Sequence, residues 1–387
     1  MRNQQGVLGI FPVFSMVILG VGLMNHVMVL PPLLQVAGRD AWISTIVAAF
    51  PYLLWIWLLY AVMKITRQQY IFDWLQNACG AWVSTAFKIV FIFYAFAIFT
   101  TTQQETVMWT HVSFLPQTPR LVLALAQMLL CYRAAFHGLR AIAVTTGILL
   151  PIVIVFGDFV MSANMPQKNY SLLWPILENG WLPPVKGCLV LLGGLSEILL
   201  LLLIQHTLKK RLTLWSLWLL GIFLVVLIIG PAIGAITEFG PVEAARMRYP
   251  AYEEWRLVVM GRYIRHLDFL SIYQWLSGAF VRISMSMYFI AELIVGPGKP
   301  RRRHACLLIL FALNVAIAAL HISDEQYYFF LSHVYLPGSF MLSTGVLLIL
   351  FILAVIYGRK ENKANGYRDS GTATNMDAPA NPGPVPQ

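Results

Sequence analysis

Residues 191–203, LLGGLSEILLLLL, are the most informative stretch of this sequence. They lie in an apolar run long enough to cross a membrane, yet two adjacent glycines are followed three residues later by Glu197. A glycine inside a helix costs about 1 kcal/mol relative to alanine, and a carboxylate at the bilayer centre costs about 3 kcal/mol. A membrane helix that contains both features is expected to be interrupted there for a structural or functional purpose.

The composition of the whole chain is that of a membrane protein. Hydrophobic residues make up 59% of the 387 residues and charged residues 11%, whereas soluble domains contain about 25% charged residues. A helix needs about 20 apolar residues to span a bilayer. Stretches of this kind occur at 7–36, 41–64, 84–112, 119–136, 138–163, 184–207, 212–236, 267–294, 304–321 and 333–357. The sequence therefore predicts an all-α membrane protein with about ten transmembrane helices.

Lysine and arginine residues are distributed unevenly between the two sides of these predicted spans. With the N-terminus inside, sixteen of them fall in short inside segments and four, Arg39, Arg120, Lys168 and Lys186, fall in short outside loops. An excess of positive charge on the cytoplasmic side sets the orientation of membrane proteins. Both termini are therefore predicted to lie inside, and the net charge of +10 needs no nucleic-acid partner.

The chain divides into a membrane domain and two short ends. Residues 1–7 are predicted to form a cytoplasmic N-terminus, and residues 8–357 a membrane domain with halves at about 8–163 and 184–357. The outside loop at 237–266 mixes both charge signs with Trp and Tyr and is predicted to fold as a small cap. The remaining residues, 358–387, are poor in apolar side chains and are predicted to be a disordered cytoplasmic tail.

Glycines recur at equivalent places in the two halves. Gly20 and Gly22 lie in the first predicted span, and Gly193 and Gly194 lie in the sixth. Paired glycine-interrupted spans are typical of transporters, in which helices 1 and 6 unwind at mid-membrane and bind a substrate. The freed backbone N–H and C=O groups would suit the carboxylate and the ammonium of an amino acid. The alternative is that these glycines only allow close helix packing.

Glu197 and Arg282 are charged residues deep inside predicted spans. An intramembrane ionisable residue is a candidate functional residue, and Arg282 is the natural partner of Glu197. A purely structural role for both charges is the alternative. The sequence has no phosphate-binding glycine loop, no His or Cys metal pattern and no nucleophile beside a base. No catalytic site, metal or cofactor is therefore predicted.

Four motifs resemble those of the spore germination permeases, the B subunits of GerA-type nutrient germinant receptors. They are LGVGLMNHVMVLPPLLQVAGRDAWIS at 19–44, QETVMWTHVSFLPQTP at 104–119, GLSEILLLL at 194–202 and YPAYEEWRLVVMGRYIRHLDFLSIYQWLSGAFVRIS at 249–284. The last is the most specific, because it joins a long outside loop to the start of the eighth predicted span. Together the matching pieces extend over about 8–357.

The resemblance implies a fold of the amino acid–polyamine–organocation transporter superfamily, with two inverted five-helix repeats. It implies that a nutrient germinant, often an amino acid, binds between spans 1, 3, 6 and 8. It also implies A and C subunits as partners, in the inner membrane of the spore. The pocket positions that follow from the motif match are Gly20, Gly22, Tyr94, Ile98, Gly194 and Glu197, with Arg282 facing the same space and Gly193 beside the second interruption.

This sequence departs from the family pattern at two places. Gln104 stands before Glu105 where much of the family has an arginine, and His266 stands before Leu267 and Asp268 where many members have an arginine. Each change removes a cation, so the ion pairs expected there are in question. The function predicted from the resemblance is a nutrient-sensing membrane subunit. The alternatives are a proton-coupled amino acid transporter, a structural subunit with a vestigial pocket and a subunit of a ligand-gated ion pathway.

Overall fold

A computed structural model describes residues 6–261, 266–320 and 322–373, with side chains up to residue 358. Within these residues the chain is helical and contains no β-strand. The helices are α1 Ile10–Leu23, α2 Leu30–Ala37, α3 Ala41–Ile65, α4 Ile71–Cys79, α5 Ala81–Ser113, α6 Arg120–His137, α7 Leu139–Ala163, α8 Leu182–Leu195, α9 Leu201–Ile204, α10 Leu214–Phe239, α11 Pro241–Ala244, α12 Pro250–Arg256, α13 Leu270–Val295, α14 Pro300–Ala318, α15 Asp324–Phe330 and α16 Leu336–Ala373.

Seven helical stretches among the described residues are long and apolar enough to cross a membrane. The first, Ile10–Ile65, has 56 residues, enough for two crossings, and is interrupted at Gly38, where φ is +54°. Two further helices, α6 and α14, have 18 and 19 residues and are not among the seven. The chain is therefore a helical membrane protein, whereas the count of ten spans and the repeats remain predictions.

The first predicted interruption is a change of helix type and not an unwound segment. Helix α1 continues through Gly20 and Gly22 and ends at Leu23, and residues Met24–Val29 then form a π-helical segment before α2. Prolines 31 and 32 explain this position, because a proline lacks the N–H that a regular helix needs and crowds the preceding turn. The prediction that helix 1 is unwound at its glycines is therefore wrong. The backbone is regular at Gly20 and Gly22, and the irregular segment is a π-helix that begins after them.

The second interruption is of the same kind. Helix α8 continues through Gly193 and Gly194, and tighter 3₁₀ turns follow at Ser196–Leu200 and Gln205–Thr207, on either side of α9. The irregular backbone thus begins next to Glu197, after the glycines that were predicted to unwind. Both interruptions keep most backbone groups paired, as the membrane interior requires.

Packing brings the two irregular regions close to each other, because the π-helical segment Met24–Val29 packs against α8 and the 3₁₀ turn Ser196–Leu200 packs against α1. Helix α13 packs against α1, α5, α6 and α7, and α8 packs against α2, α3 and α16. At one end of the molecule the segment before α1 bonds to the segment after α9, where the backbone N–H groups of Val7 and Leu8 donate to the carbonyl of Thr207 at 2.9 and 3.0 Å. The start of the first span is therefore tied to the end of the sixth predicted span.

The loop at 237–266, which is predicted to lie outside, contains local helical structure in its described part. It contains the short helices α11 and α12, and α12 packs against α10 and α2. At the other end of the chain, α16 is helical as far as Ala373. The predicted disordered tail at 358–387 falls partly on this helix and partly on residues 374–387, which lie outside the described residues, as do residues 1–5 and 262–265.

Candidate functional site

A buried ion pair joins the two interrupted regions. The Arg282 guanidinium on α13 bonds both oxygens of the Glu197 carboxylate: its Nη1 contacts Oε2 and its Nη2 donates to Oε1 at 3.0 Å. The side chains are 2% and 4% exposed. A two-pronged contact of this kind is the strongest that arginine makes with a carboxylate. The pair predicted from the two isolated charges is therefore present.

The remaining donors and acceptors of the pair are also engaged. The Arg282 Nε atom donates to the Thr102 hydroxyl at 2.9 Å on α5, and its Nη1 donates to the Gly20 carbonyl at 3.2 Å on α1. The Tyr335 hydroxyl donates to Oε1 of Glu197 at 3.0 Å. Full pairing is what makes a buried ion pair tolerable in a low-dielectric interior. The pair thus connects α1, α5, the segment after α8, α13 and the π-helical segment Leu331–Tyr335 that precedes α16.

Side chains satisfy backbone carbonyls at the second interruption. The Gly193 carbonyl accepts hydrogen bonds from the hydroxyls of Ser196 at 3.1 Å and Ser339 at 3.2 Å, and the Leu195 carbonyl accepts one from the Tyr52 hydroxyl at 3.2 Å. Tyr94 joins this group through its contact with the Ser339 hydroxyl at 3.0 Å. The polar groups that a ligand was predicted to meet at unwound backbone are therefore already bonded within the protein.

A small cavity of about 40 Å³ lies beside the ion pair. Four of the residues predicted for the pocket line it: Gly20, Ile98, Glu197 and Arg282. A single water needs a cavity volume of about 10–15 Å³. The cavity can therefore hold a few waters but is too small for an amino acid. The space beside the ion pair in this structure therefore does not accommodate the ligand that was predicted from the sequence.

The other predicted glycines serve close packing. A Cβ on Gly193 would lie 2.7 Å from the Leu336 carbonyl oxygen, and one on Gly194 would lie 2.6 Å from a methyl of Val29. Gly22 faces away from the ion pair, with a Cβ position 3.2 Å from a methyl of Leu227 on α10. At Gly193 and Gly194 the structure thus favours the packing interpretation, because any side chain would push neighbouring helices apart.

Glu105 has a partner that the sequence does not suggest. Arg248, from the loop at 237–266, donates to Oε2 of Glu105 at 2.8 Å and to Oδ1 of Asp324 at 3.2 Å. Its guanidinium also lies over the rings of Tyr249 and Tyr328, at 4.6 and 5.2 Å from their centres. The cation missing before Glu105 is therefore replaced by one from the loop, and the cluster ties α5, the loop and α15 together.

The second departure from the family pattern, at His266, leaves Asp268 with a hydrogen bond and with no ion pair among the described residues. Asp268 accepts a hydrogen bond from the Tyr252 hydroxyl on α12 at 3.3 Å. His266 takes a left-handed conformation, with φ of +63°, just before the 3₁₀ turn at Leu267–Phe269. The α12 contact thus positions the start of α13 from the loop side.

Several residues at the site were not predicted from the sequence. Tyr335 and Ser339 lie at the start of the last predicted span and belong to no motif that the sequence analysis used. Met24 and Asn25 follow Gly20 and Gly22. Asn25 is fully buried, and neither its amide nitrogen nor its amide oxygen has a hydrogen-bond partner among the described residues. A polar residue in an apolar span directly after paired glycines is the signal that could have found Asn25.

Known proteins resemble this chain over nearly its whole length. The sequence profile described as spore germination protein matches residues 7–326. Spore germination protein XB of Bacillus anthracis is 42% identical over 351 residues, which cover 90% of this chain and 97% of that protein. Spore germination protein GerQB of Bacillus cereus is 27% identical over 155 residues, covering 40% of this chain and 42% of that protein.

A third relative matches more weakly over a longer stretch. The putative spore germination protein YfkT of Bacillus subtilis (strain 168) is 22% identical over 277 residues, covering 70% of this chain and 74% of that protein. The profile match covers most of the chain, and the relative from B. anthracis aligns over almost its entire length. This chain therefore belongs to the spore germination permease family, whose members are membrane proteins of germination and not enzymes.

Proposed function

We propose that this germination-related membrane protein senses a small nutrient and that the nutrient, an amino acid, binds at the Glu197–Arg282 pair. The proposal includes A and C receptor subunits as partners, the spore inner membrane as location and both termini inside. The observation that carries it is the fully paired, buried ion pair that joins the two interrupted regions. Intramembrane charges of this kind mark ligand pathways in transporter-like folds.

The ion pair supplies complementary groups for an amino acid. A ligand carboxylate would replace Glu197 at the planar fork of Arg282, and a ligand ammonium would take the place of the guanidinium at Glu197. Each charge would thus exchange an internal partner for an external one. Because no charge is left alone, binding at this position avoids the cost of a bare ion in the membrane.

Unpartnered polar atoms favour the same place. The amide of Asn25 and the hydroxyl of Ser286 are buried and lack hydrogen-bond partners among the described residues, and Ser286 lines the small cavity. Buried polar groups are nearly always paired, so the unpaired hydroxyl in the cavity wall and the unpaired amide beside Gly194 require an explanation. A ligand with several donors and acceptors would satisfy them.

Binding requires the site to open, because the cavity of about 40 Å³ does not hold an amino acid. The π-helical segment Met24–Val29 and the 3₁₀ turn Ser196–Leu200 border the site and are the segments best suited to rearrange. A ligand that binds only the open form shifts the population toward it. That shift is the signal that we propose to reach the partner subunits.

Germination of complemented spores tests the proposal. Spores that lack this gene are supplied with wild type, Ile98→Ala or Ile148→Ala and exposed to a panel of amino acids, sugars and nucleosides. Ile98 is 1% exposed and lines the cavity, whereas Ile148 on α7 is 64% exposed and serves as the matched control. Removing methyl groups from a pocket changes affinity by roughly 10–200-fold, so Ile98→Ala should shift the half-maximal concentration of one nutrient class at least about tenfold.

The result that would refute the proposal is an unchanged response of the Ile98→Ala spores at normal protein levels. If spores that lack the gene germinate normally on every nutrient, the alternative of a proton-coupled transporter is favoured. Uptake of radiolabelled amino acids into vesicles that contain the purified chain would then separate transport from sensing.

A further inference from the structure

A second and much larger cavity, of about 760 Å³, lies between α1, α7, α10, α12 and α13. It is separate from the site at the ion pair, which lies on the other side of α1: Gly22 lines the large cavity, and Gly20 lines the small one. Most of its wall is aliphatic or aromatic, with Leu150, Val153, Phe223, Leu227, Trp255 and Trp275 as representative members. Cavities of this size and composition are typical of sites for small ligands.

The wall is held in a defined shape by hydrogen bonds between its elements. Trp255 on α12 donates through Nε1 to Oε1 of Gln274 on α13 at 2.8 Å, and Gln274 donates through Nε2 to the Val153 carbonyl on α7 at 3.0 Å. The Phe156 and Phe159 rings pack against Trp255, with centres 6.3 and 6.0 Å apart. The loop helix α12 is therefore locked onto the membrane helices where it borders the cavity.

One carboxylate in this apolar wall has an oxygen without a hydrogen-bond partner among the described residues. Glu254 on α12 is 3% exposed and lines the cavity, and its Oε1 atom has no hydrogen-bond partner among the described residues. Its carboxylate packs directly on Gly234, where a Cβ would lie 2.6 Å from Oε2. Burial raises the pKa of the Glu254 carboxyl well above its usual range, and the nearby Glu238 raises it further while Lys168 lowers it.

The groups around Glu254 leave an excess of acceptors. Lys168 pairs with Oε1 of Glu238 at 3.5 Å, and the Asn164 amide nitrogen donates to Oε2 of Glu238 at 3.2 Å and to the Glu254 carbonyl at 2.7 Å. The Oδ1 atom of Asn164, Oε1 of Glu238 and Oε1 of Glu254 are buried without hydrogen-bond partners in the described part of the chain. Oε1 of Glu238 faces the Lys168 ammonium, so Oε1 of Glu254 and Oδ1 of Asn164 are the acceptors of this group left without a donor among the described residues. Of these two residues, Glu254 lines the cavity.

A primary ammonium fits this set better than a metal ion does. Its positive charge would favour the ionised form of Glu254, which burial disfavours, and its three N–H groups can donate to Oε1 of that carboxylate. Metal sites need more ligands of the right kind, and the described residues contain no group of three His, Cys, Asp or Glu that could hold a metal. Asp158, exposed at the rim, adds a further negative charge, and His26 on the wall bonds through Nδ1 to the Gly22 carbonyl at 2.8 Å.

The cavity opens toward the side of the molecule. Ile154 and Val226 line it and are 39% and 56% exposed on membrane-spanning helices, so its mouth faces the lipid. We propose that this cavity is a second ligand site, which binds a primary amine carried on an apolar body with the amine at Glu254. The shared chemistry fits two sources, a free apolar amine and the headgroup of an aminophospholipid. This site does not depend on the nutrient site proposed above.

Binding of hexylamine to the purified full chain in phosphatidylcholine nanodiscs tests the proposal, with hexanol as the neutral probe of equal length. The readout is the rise in the thermal unfolding midpoint with probe concentration, because a ligand that binds the folded state stabilises it. Wild type should bind hexylamine saturably and at least about tenfold more tightly than hexanol, since loss of a buried charge contact weakens binding strongly. Glu254→Gln should remove that preference.

Glu253→Gln is the matched control on the same helix. The Glu253 carboxylate is 30% exposed and pairs with Arg256 at 2.8 Å on the surface, so its removal should leave hexylamine binding unchanged. Val226→Trp narrows the mouth at an exposed position and should weaken binding of both probes, which keeps the test valid if Glu254→Gln does not fold. Equal binding of hexylamine and hexanol by wild type, or unchanged binding in both Glu254→Gln and Val226→Trp, would overturn the proposal.

Nanodiscs with added phosphatidylethanolamine distinguish the two sources. If the aminophospholipid is the occupant, its primary amine competes and the apparent affinity for hexylamine falls, whereas phosphatidylcholine has no N–H donor and does not compete. If a free amine is the occupant, the affinity stays the same in both lipids. Each result supports the amine site and assigns its source.

Discussion

Replacing Glu197 by Gln leaves the Arg282 guanidinium buried without its counter-ion. The guanidinium keeps its bonds to Thr102 at 2.9 Å and to the Gly20 carbonyl at 3.2 Å, but it loses the charge that balances it. One carboxylate oxygen also becomes an NH₂ group, so an N–H donor of the glutamine side chain faces an N–H donor of Arg282. Removal of one partner from a buried ion pair costs about 3–5 kcal/mol. Because two bonds remain, we expect a loss near 3 kcal/mol, roughly a hundredfold in the ratio of folded to unfolded protein.

The opposite replacement, Arg282→Met, should be less harmful. A carboxylate left alone can take up a proton, whereas a guanidinium stays charged at any accessible pH. Glu197 would also keep the hydrogen bond from Tyr335 at 3.0 Å. The double variant contains neither charge, so its loss should be smaller than the sum of the two single losses by about 2 kcal/mol.

Unfolding of the purified chain in detergent micelles measures these differences. Glu253→Gln, which removes a surface carboxylate paired with Arg256, is the control and should change the free energy of unfolding by about 0–1 kcal/mol. If Glu197→Gln is as stable as wild type, or if the single losses add in the double variant, the ion pair does not stabilise the fold and the reasoning fails.

Two other substitutions have defined outcomes. Gly193→Ala places a Cβ 2.7 Å from the Leu336 carbonyl oxygen and should lower the free energy of unfolding by about 1–3 kcal/mol. The control Gly345→Ala meets no atom within 4 Å and should raise the free energy of unfolding by up to about 1 kcal/mol. Equal effects of the two substitutions would contradict the packing argument. Arg248→Gln leaves the Glu105 carboxylate buried without its cation, so proteolysis of the loop at 237–266 in membranes should become faster. An unchanged rate of proteolysis would show that the contacts of Arg248 with Glu105 and Asp324 do not anchor the loop.

Much of the architecture is readable from local sequence. Apolar stretches and scarce charges establish a helical membrane protein, since a segment that crosses lipid must be apolar and must pair its own backbone groups. Glu197 and Arg282 are recognisable as partners because isolated charges in a membrane need each other. The first irregular segment was predicted at Gly20 and Gly22; prolines 31 and 32, which lack N–H donors and were not used in that prediction, account for its actual position.

What the glycines do was decided only by the tertiary structure. Sequence alone left unwinding and close packing open, and the distances from Gly193 to Leu336 and from Gly194 to Val29 favour packing at these two positions. The partner of Glu105 was likewise hidden, because Arg248 lies far away in the chain. Such contacts depend on how each helix is rotated and how closely neighbours approach, and neither quantity leaves a periodic signal in sequence. The small cavity beside the ion pair and the large one at Glu254 follow from the same non-local packing.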